Sequence, residues 1–339
     1  MSPAEFIEHS KTVPIIDVRS PDEYDRAHIP TAISVPLFNN EERAKVGTLY
    51  KKSGKDAAVL LGLEIVGPKL ADFVRQVQKI APQKEVLVHC WRGGMRSGSF
   101  AWLLKTAGFK AHTLEGGYKA YRNLVLDAFE IPYQFIVLGG KTGSGKTDIL
   151  KKIEKLGEQI IDLEQLAHHK GSSFGAIGQL SQYSTEHFEN VLHQKILTLD
   201  ASKRIWIEDE SRNVGSCYIP HTFFNQLRVA KVAFIDVPKS VRIERLVKEY
   251  AFCDPQLLVE ATDRIKKRLG GQHHKAALEA LAAKDYAAVA DITLTYYDKA
   301  YLHGLSQREP SSVFKSEIDE DNPQKNAQLL VNWANSLNL

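Results

Sequence analysis

From Gly139 the chain reads Gly-Gly-Lys-Thr-Gly-Ser-Gly-Lys-Thr, ending at Thr147. Gly140-x-x-x-x-Gly145-Lys146-Thr147 is a complete Walker A pattern. Its surroundings are the required ones: an apolar strand pattern over 134–138 before it and a helical pattern over 146–156 after it. Gly140, Gly143 and Gly145, with Ser144 among them, let backbone N–H groups converge on phosphate oxygens, and the following helix adds the positive end of its dipole. Lys146 is placed to reach terminal phosphates and Thr147 to ligate Mg²⁺. The motif specifies a di- or triphosphate and does not specify ATP. Further β-type runs over 159–163, 204–207 and 231–237, separated by helical patterns over 185–199 and 240–251, extend it into an α/β block on a mostly parallel sheet. Asp162 and Glu164 end one of those strands, and Ile205-Trp206-Ile207 runs into Glu208-Asp209-Glu210. Asp162, Glu164, Glu208 and Asp209 are the expected metal-side or substrate-side carboxylates, with solvated strand ends as the plainer alternative.

Upstream, residues 89–97 read His-Cys-Trp-Arg-Gly-Gly-Met-Arg-Ser. Cys90 follows a β-type run over 85–89 and precedes a helical pattern over 97–107, so its sulfur meets backbone N–H groups, a helix N-terminus, Arg92 and Arg96. Each of these lowers a thiol pKa and favours the nucleophilic thiolate. An isolated cysteine is more often a small core hydrophobe, but the flanking glycines and arginines point to chemistry. Cys90, Arg92 and Arg96 are therefore the expected catalytic residues. Runs at 13–18, 32–37 and 111–114, with a helical pattern at 68–80, give the N-terminal part its own parallel α/β sheet. The expected organisation is a domain over 1–125, a linker over 126–133 and a second domain over 134–339 with a helical C-terminal part. An insertion at about 38–66 is polar and too long for a simple connection, so it is either functional or loosely ordered. Residues 306–325, polar and acidic, read as a surface excursion before a terminal helix.

Apolar content of 43% and charged content of 25% are those of a globular domain, and no run of 18 apolar residues offers a membrane span. The first ten residues lack a basic-then-apolar signal pattern, so a cytoplasmic protein without membrane partners is expected. Three cysteines, Cys90, Cys217 and Cys253, are too few and too scattered for a disulfide framework or a zinc ribbon. Residues 1–125 carry 18 Lys and Arg against 13 Asp and Glu, a positive bias that would suit a polyanion such as RNA. The insertion (Arg43, Lys45, Lys51, Lys52) and a basic helical stretch (Arg264, Lys266, Lys267, Arg268) are the candidate RNA-backbone contacts, against solvated faces as the alternative. The pairs His168-His169 and His273-His274 lack a third ligand in sequence, so no structural metal is expected.

Cys90-x5-Arg96-Ser97 after a histidine is the pattern of cysteine phosphatases, in which arginine and backbone amides hold phosphate. Yet Asp17-Val18-Arg19-Ser20-Pro21-Asp22-Glu23-Tyr24, Ala27-His28-Ile29-Pro30 and Glu115-Gly116-Gly117-Tyr118 resemble the rhodanese-homology motif, where Asp17 and His28 are structural. A rhodanese-like domain with this cysteine loop, joined to a P-loop NTPase-like domain, resembles the bacterial tRNA 2-selenouridine synthases. Asn40-Glu41-Glu42-Arg43-Ala44-x-Val46-Gly47-Thr48, His168-His169-Lys170-Gly171-Ser172-Ser173-Phe174-Gly175 and Glu208-Asp209-Glu210-Ser211-Arg212 strengthen the resemblance.

The resemblance implies a two-step exchange on the wobble 2-thiouridine of tRNA. Geranyl diphosphate first S-alkylates it, with the diphosphate on Lys146 and Thr147. Selenium from selenophosphate then displaces the S-geranyl group, passing through Cys90 as an S-selanylcysteine with Arg92 and Arg96 on the donor's oxygens. A monomer with no tightly bound cofactor is expected, with Mg²⁺ accompanying the diphosphate. The alternative is an NTP-dependent kinase or NTPase fused to a sulfurtransferase-like or cysteine-phosphatase-like domain. Intact Cys90, Arg92 and Arg96 disfavour a third reading, a non-enzymatic RNA-binding module.

Overall fold

Val86, Leu87 and Val88 are fully buried with no polar alternation, because helices cover both faces of their sheet. The computed structural model describes residues 1–318 and 320–337. It divides into two units, Met1–Ala128 with Glu189–Gln194, and Phe129–Phe188 with Lys195–Leu339. The first unit holds α1 (Pro3–His9), β1 (Ile15–Asp17), α2 (Pro21–Arg26), β2 (Ile33–Ser34), α3 (Asn40–Val66), α4 (Leu70–Ile80), β3 (Glu85–His89), α5 (Met95–Thr106), β4 (Lys110–Thr113) and α6 (Gly117–Ala128). Its four strands are parallel in the order β2-β1-β3-β4. Phe73 and Val77 of α4, and Phe100, Ala101 and Leu104 of α5, close a core over Ile16, Val86 and Val88.

The polar insertion is not a loose loop. Asn39 and Glu42 form a reciprocal capping box that starts α3, and Gly54 at φ +86° breaks it into two helical pieces. Only Ala58 is buried, so no apolar stripe announced the helix.

The second unit runs β5 (Phe135–Gly140), α7 (Lys146–Lys155), β6 (Gln159–Ile161), α8 (Leu163–Ala167), α9 (Thr185–Ile196), β7 (Ile205–Glu208), β8 (Asn213–Val214), β9 (Cys217–Tyr218) and α10 (His221–Val229). It continues with β10 (Lys231–Asp236), α11 (Lys239–Tyr250), α12 (Pro255–Arg264), α13 (Lys266–Leu269), α14 (Gly271–Ala282), α15 (Tyr286–Ser306), β11 (Val313–Glu317) and α16 (Pro323–Ser336). Five parallel strands lie in the order β11-β10-β5-β7-β6, and β8-β9 is a separate hairpin. The chain leaves β5 for β6 on one side and returns to β10 on the other, so the phosphate loop sits at the topological switch point where such sheets bind ligands.

The expected surface excursion over 306–325 contains β11, which pairs with β10 from Val313 opposite Val232 to Glu317 opposite Asp236. Val-Phe-Lys-Ser-Glu carries charge because it is an edge strand. Ala327, Leu330, Val331 and Ala334 of α16 pack with Ile149, Leu150 and Ile153 of α7. Helices α12, α14 and α15 build a separate core around Leu258, Ala261, Ala277, Leu281 and Val289.

Candidate functional site

The phosphate loop turns on residues that only glycine serves well. Gly143 and Gly145 hold φ of +79° and +78°, and Gly145 is the N-cap of α7. Lys146 folds back with Nζ 2.9 Å from the Gly140 carbonyl oxygen. The Ser144 hydroxyl is buried without a protein partner. A network at the end of β5 fixes where the loop begins. The Gly140 N–H donates to the Tyr301 hydroxyl (2.9 Å), which donates to Asp209 Oδ2 (2.7 Å), while Arg308 donates to Asp209 Oδ1 (2.7 Å). Asp209 is thus committed to Tyr301 and Arg308, and it supports the loop rather than joining the other expected acids.

The other acids gather around Glu164, which meets Thr147. Its hydroxyl donates to Glu164 Oε2 at 3.0 Å, and the Glu164 N–H donates to Glu208 Oε2 at 3.3 Å. Asp162 caps α8 through the Gln165 N–H at 2.7 Å. One oxygen of Glu208 and one of Asp162 are buried with no partner. Glu210, read from sequence in the same acidic run as Glu208 and Asp209 but left out of the candidate acids, adds its charge to the group beside Glu164. Burial first, then the charges of Asp162, Glu164 and Glu210, pushes Glu208 well above the usual carboxylate range. Burial and Glu164 push Glu210 up to about 8. So many carboxylates facing one another leave room for a cation or for shared protons.

The loop opens into a cavity of about 680 Å³ whose lining also includes an apolar and aromatic wall: Phe174, Tyr250, Leu258, Leu281, Val289 and Leu294. This wall comes from the 168–183 connection, whose Phe174 falls in the 168–175 stretch quoted above, and from α11 to α15, which no motif marks. Arg245, also in the lining, packs against Gly145 and pairs with Asp148 and Asp321.

The cysteine loop is a site in the first unit. Cys90 is 3% exposed, whereas Trp91, Arg92 and Met95 face solvent. Gly93 and Gly117, at φ +64° and +62°, touch backbone to backbone, and a β-carbon on Gly117 would collide with Gly93 N and Cys90 O. The Tyr118 and Lys119 N–H groups donate to the Cys90 and Trp91 carbonyls (2.8 and 3.0 Å), which binds the loop to α6. The sulfur lies 3.2 Å from the Ser97 hydroxyl. Burial works against the thiolate, but the Ser97 hydroxyl and N–H, the Arg96 charge and the Arg92 N–H outweigh it and hold Cys90 below the usual thiol range.

Arg96 does not point freely at an incoming oxyanion. It pairs with Glu23 at 2.7 and 3.3 Å, and Arg43 approaches the same carboxylate at 3.6 Å. Beneath, Arg19 is buried on Asp17 (2.6 Å) and stacks over Tyr118 at 3.9 Å, so Asp17 is structural.

A profile of the tRNA 2-selenouridine synthase AAA domain matches residues 133–328, and one of the rhodanese-like domain matches residues 2–124. The tRNA 2-selenouridine synthase of Aeromonas salmonicida (strain A449) is 33% identical over 344 residues, spanning 90% of this chain and 91% of that protein. The chain belongs to the tRNA 2-selenouridine synthase family. Among solved structures, the N-terminal domain of a Clostridium difficile 630 protein shares 43% identity (TM-score 0.35), covering 37% of this chain and 98% of that one. The tRNA isopentenylpyrophosphate transferase of Bacillus halodurans shares 10% (TM-score 0.33), covering 60% and 96%. TM-scores this low bear on neither site.

Within this 2-selenouridine synthase family member, the basic residues singled out from sequence lie on two surfaces. Lys45, Lys51 and Lys52 are exposed on α3, and Lys266 and Lys267 are exposed on α13. Arg43 is drawn to Glu23, Arg264 donates to the Ser173 carbonyl (2.8 Å), and Arg268 donates to the Tyr296 hydroxyl (3.0 Å). His274 pairs with Asp263 at 2.7 Å, and His168 faces the Ser181 carbonyl at 3.1 Å. Among the described residues no helix is long and apolar enough to cross a membrane.

Proposed function

We propose that this protein converts wobble 2-thiouridine of tRNA to 2-selenouridine, by S-geranylation from geranyl diphosphate and then selenation from selenophosphate at the Cys90 loop. The observation that supports the first step is one cavity lined both by the phosphate loop and by apolar and aromatic side chains. Its volume lies in the range of about 300–1,000 Å³ that holds small ligands, and its polarity matches a prenyl diphosphate lying lengthwise. The thiouridine sulfur would attack the prenyl carbon bearing oxygen, and the C–O electron pair would leave with the diphosphate. Lys146 and the loop N–H groups would stabilise the charge that develops on that leaving group.

Mg²⁺ fits this reading. Thr147, Glu164, Glu208 and Asp162 would hold it, because two buried carboxylate oxygens there lack partners. Such an ion would neutralise charge on the diphosphate.

In the second step water would take the phosphoryl group as the P–Se bond of selenophosphate breaks. The selenide-level selenium so released would bond to C2 of the nucleobase while geranylthiol leaves with the electrons of the C–S bond. The Cys90 thiolate, favoured by Ser97 and Arg96, supports a role in delivering selenium. Arg92 is exposed beside it for the donor's oxygens, and Arg96 would have to turn from Glu23 to join it. The exposed lysines on α3 and α13 are the surfaces offered to tRNA.

The test is nucleoside mass spectrometry after incubation with 2-thiouridine tRNA and geranyl diphosphate, with and without selenophosphate. An S-geranyl nucleoside that becomes 2-selenouridine on adding selenophosphate supports both steps. An unchanged nucleoside, with NTP hydrolysed instead, would overturn the reading in favour of an NTPase.

A further inference from the structure

Far from the cysteine loop, the first unit gathers two imidazoles around one carboxylate oxygen. His9 at the end of α1 and His112 in β4 each place Nε2 3.1 Å from Glu85 Oε1, at the start of β3. The three ligand atoms lie within 4.8 Å of one another, and the two rings stand edge to face with centroids 5.4 Å apart. The group is half-buried, with side-chain exposures of 33%, 27% and 25% for His9, Glu85 and His112, so an ion could enter from solvent.

We infer that His9, Glu85 and His112 form a binding site for a divalent transition-metal ion of the zinc class. Tetrahedral zinc with ligands at about 2.0–2.1 Å separates neighbouring ligand atoms by about 3.3 Å. The two N···O separations observed are already close to that edge. Two imidazoles and a carboxylate are donors that suit zinc, with water completing the shell. The residues come from three elements, 76 and 27 positions apart between His9, Glu85 and His112, so the fold alone assembles them. Bound there, the ion would join α1 to the β3–β4 edge of the sheet. Five steps along β3 and just past it lead from Glu85 to Cys90, at about 3.3 Å each, so the site lies about 16 Å from the nucleophile. It is therefore separate from the chemistry proposed above.

One competitor is present. Lys110 Nζ lies 2.8 Å from the same Glu85 oxygen, and its ammonium must withdraw when a cation arrives. That gives the inference a consequence that a plain hydrogen-bond network lacks: removing Lys110 should tighten metal binding.

The experiment is a zinc titration of the full chain in competition with a chromophoric chelator. A Cys90→Ser background keeps the thiolate from binding the probe. One equivalent bound, weakened about tenfold or more by His9→Ala and by His112→Asn and tightened by Lys110→Met, is the expected result. Affinity should also fall on acidification, because zinc displaces protons from imidazole. No zinc held against a weak chelator, or equal affinity in wild type and both histidine variants, would overturn it. Far-UV circular dichroism of each variant without metal separates lost binding from lost folding, and Lys110→Met tests the site with all three ligands intact.

Discussion

If one cavity holds both the diphosphate and the prenyl chain, shortening the chain should weaken binding without touching the phosphate contacts. Dimethylallyl diphosphate has five carbons fewer than geranyl diphosphate. At about 0.8 kcal/mol per buried carbon, full burial against Phe174, Leu258, Leu281, Val289 and Leu294 predicts a loss of about 4 kcal/mol. That is about a thousandfold in Kd, and burial of only half that surface still predicts about thirtyfold. Lys146→Ala removes a charged donor from the other end and should cost about 1.5–3 kcal/mol. That second loss should be the same for geranyl, dimethylallyl and inorganic diphosphate, because the lysine touches only the group they share. Isothermal titration of the three ligands against wild type and Lys146→Ala gives all six numbers. Geranyl and dimethylallyl diphosphates binding within about threefold of each other would refute the single-cavity argument. So would a Lys146→Ala penalty confined to the prenylated ligands.

Cys90→Ala should leave S-geranylation running while blocking selenation, so that S-geranyl nucleoside accumulates in the mass-spectrometric assay. Arg96→Ala removes a positive charge that stabilises the Cys90 thiolate, so the pH midpoint of its alkylation by iodoacetamide should move upward. The acid cluster carries a signed pH dependence. Glu210 rises from 4.5 to about 8 on folding, so its contribution is fully present below pH 4.5 and is lost as pH climbs through 8. The melting temperature should therefore fall across that window, and Mg²⁺ should reduce the fall. Glu23 runs the other way, lowered to about 2 against burial by Arg96, the Ser20 N–H and Arg43. Its stabilisation is present above pH 4.5 and lost toward 2, and acid denaturation of Glu23→Gln should flatten in that range.

Both loops were legible because their chemistry is contiguous: nine residues supply the phosphate cradle, and nine supply the thiolate and its neighbours. Strand–loop–helix context did the rest, since a buried parallel strand announces itself as an unbroken apolar run. Features built by distant segments were not legible. Apart from Phe174, the apolar wall of the cavity comes from residues between 250 and 294, which in sequence look like ordinary helix cores. Asp209 looked like Glu208, and only the fold shows that Tyr301 and Arg308, about 90 and 100 residues later, take both its oxygens. Arg96 looked like a free oxyanion ligand until Glu23 appeared beside it. Glu210 was quoted within its motif, but only the bend after β7 turns it toward Glu164. The polar composition that hid α3 and β11 reflects surfaces facing water, where periodicity carries no signal.

The order of strands in the second sheet has a consequence for synthesis. The phosphate loop and α7 leave the ribosome early, yet the neighbour of β10 is β11 and the cover for α7 is α16. Until the chain has been made past residue 336, Ile149 and Ile153 have no complete partner surface and the β10 edge stays open. Folding of this unit cannot simply follow translation from N- to C-terminus. A message cut short before β11 would yield a chain bearing every phosphate-loop residue and no finished sheet to hold them, one that quality control would meet as an exposed edge.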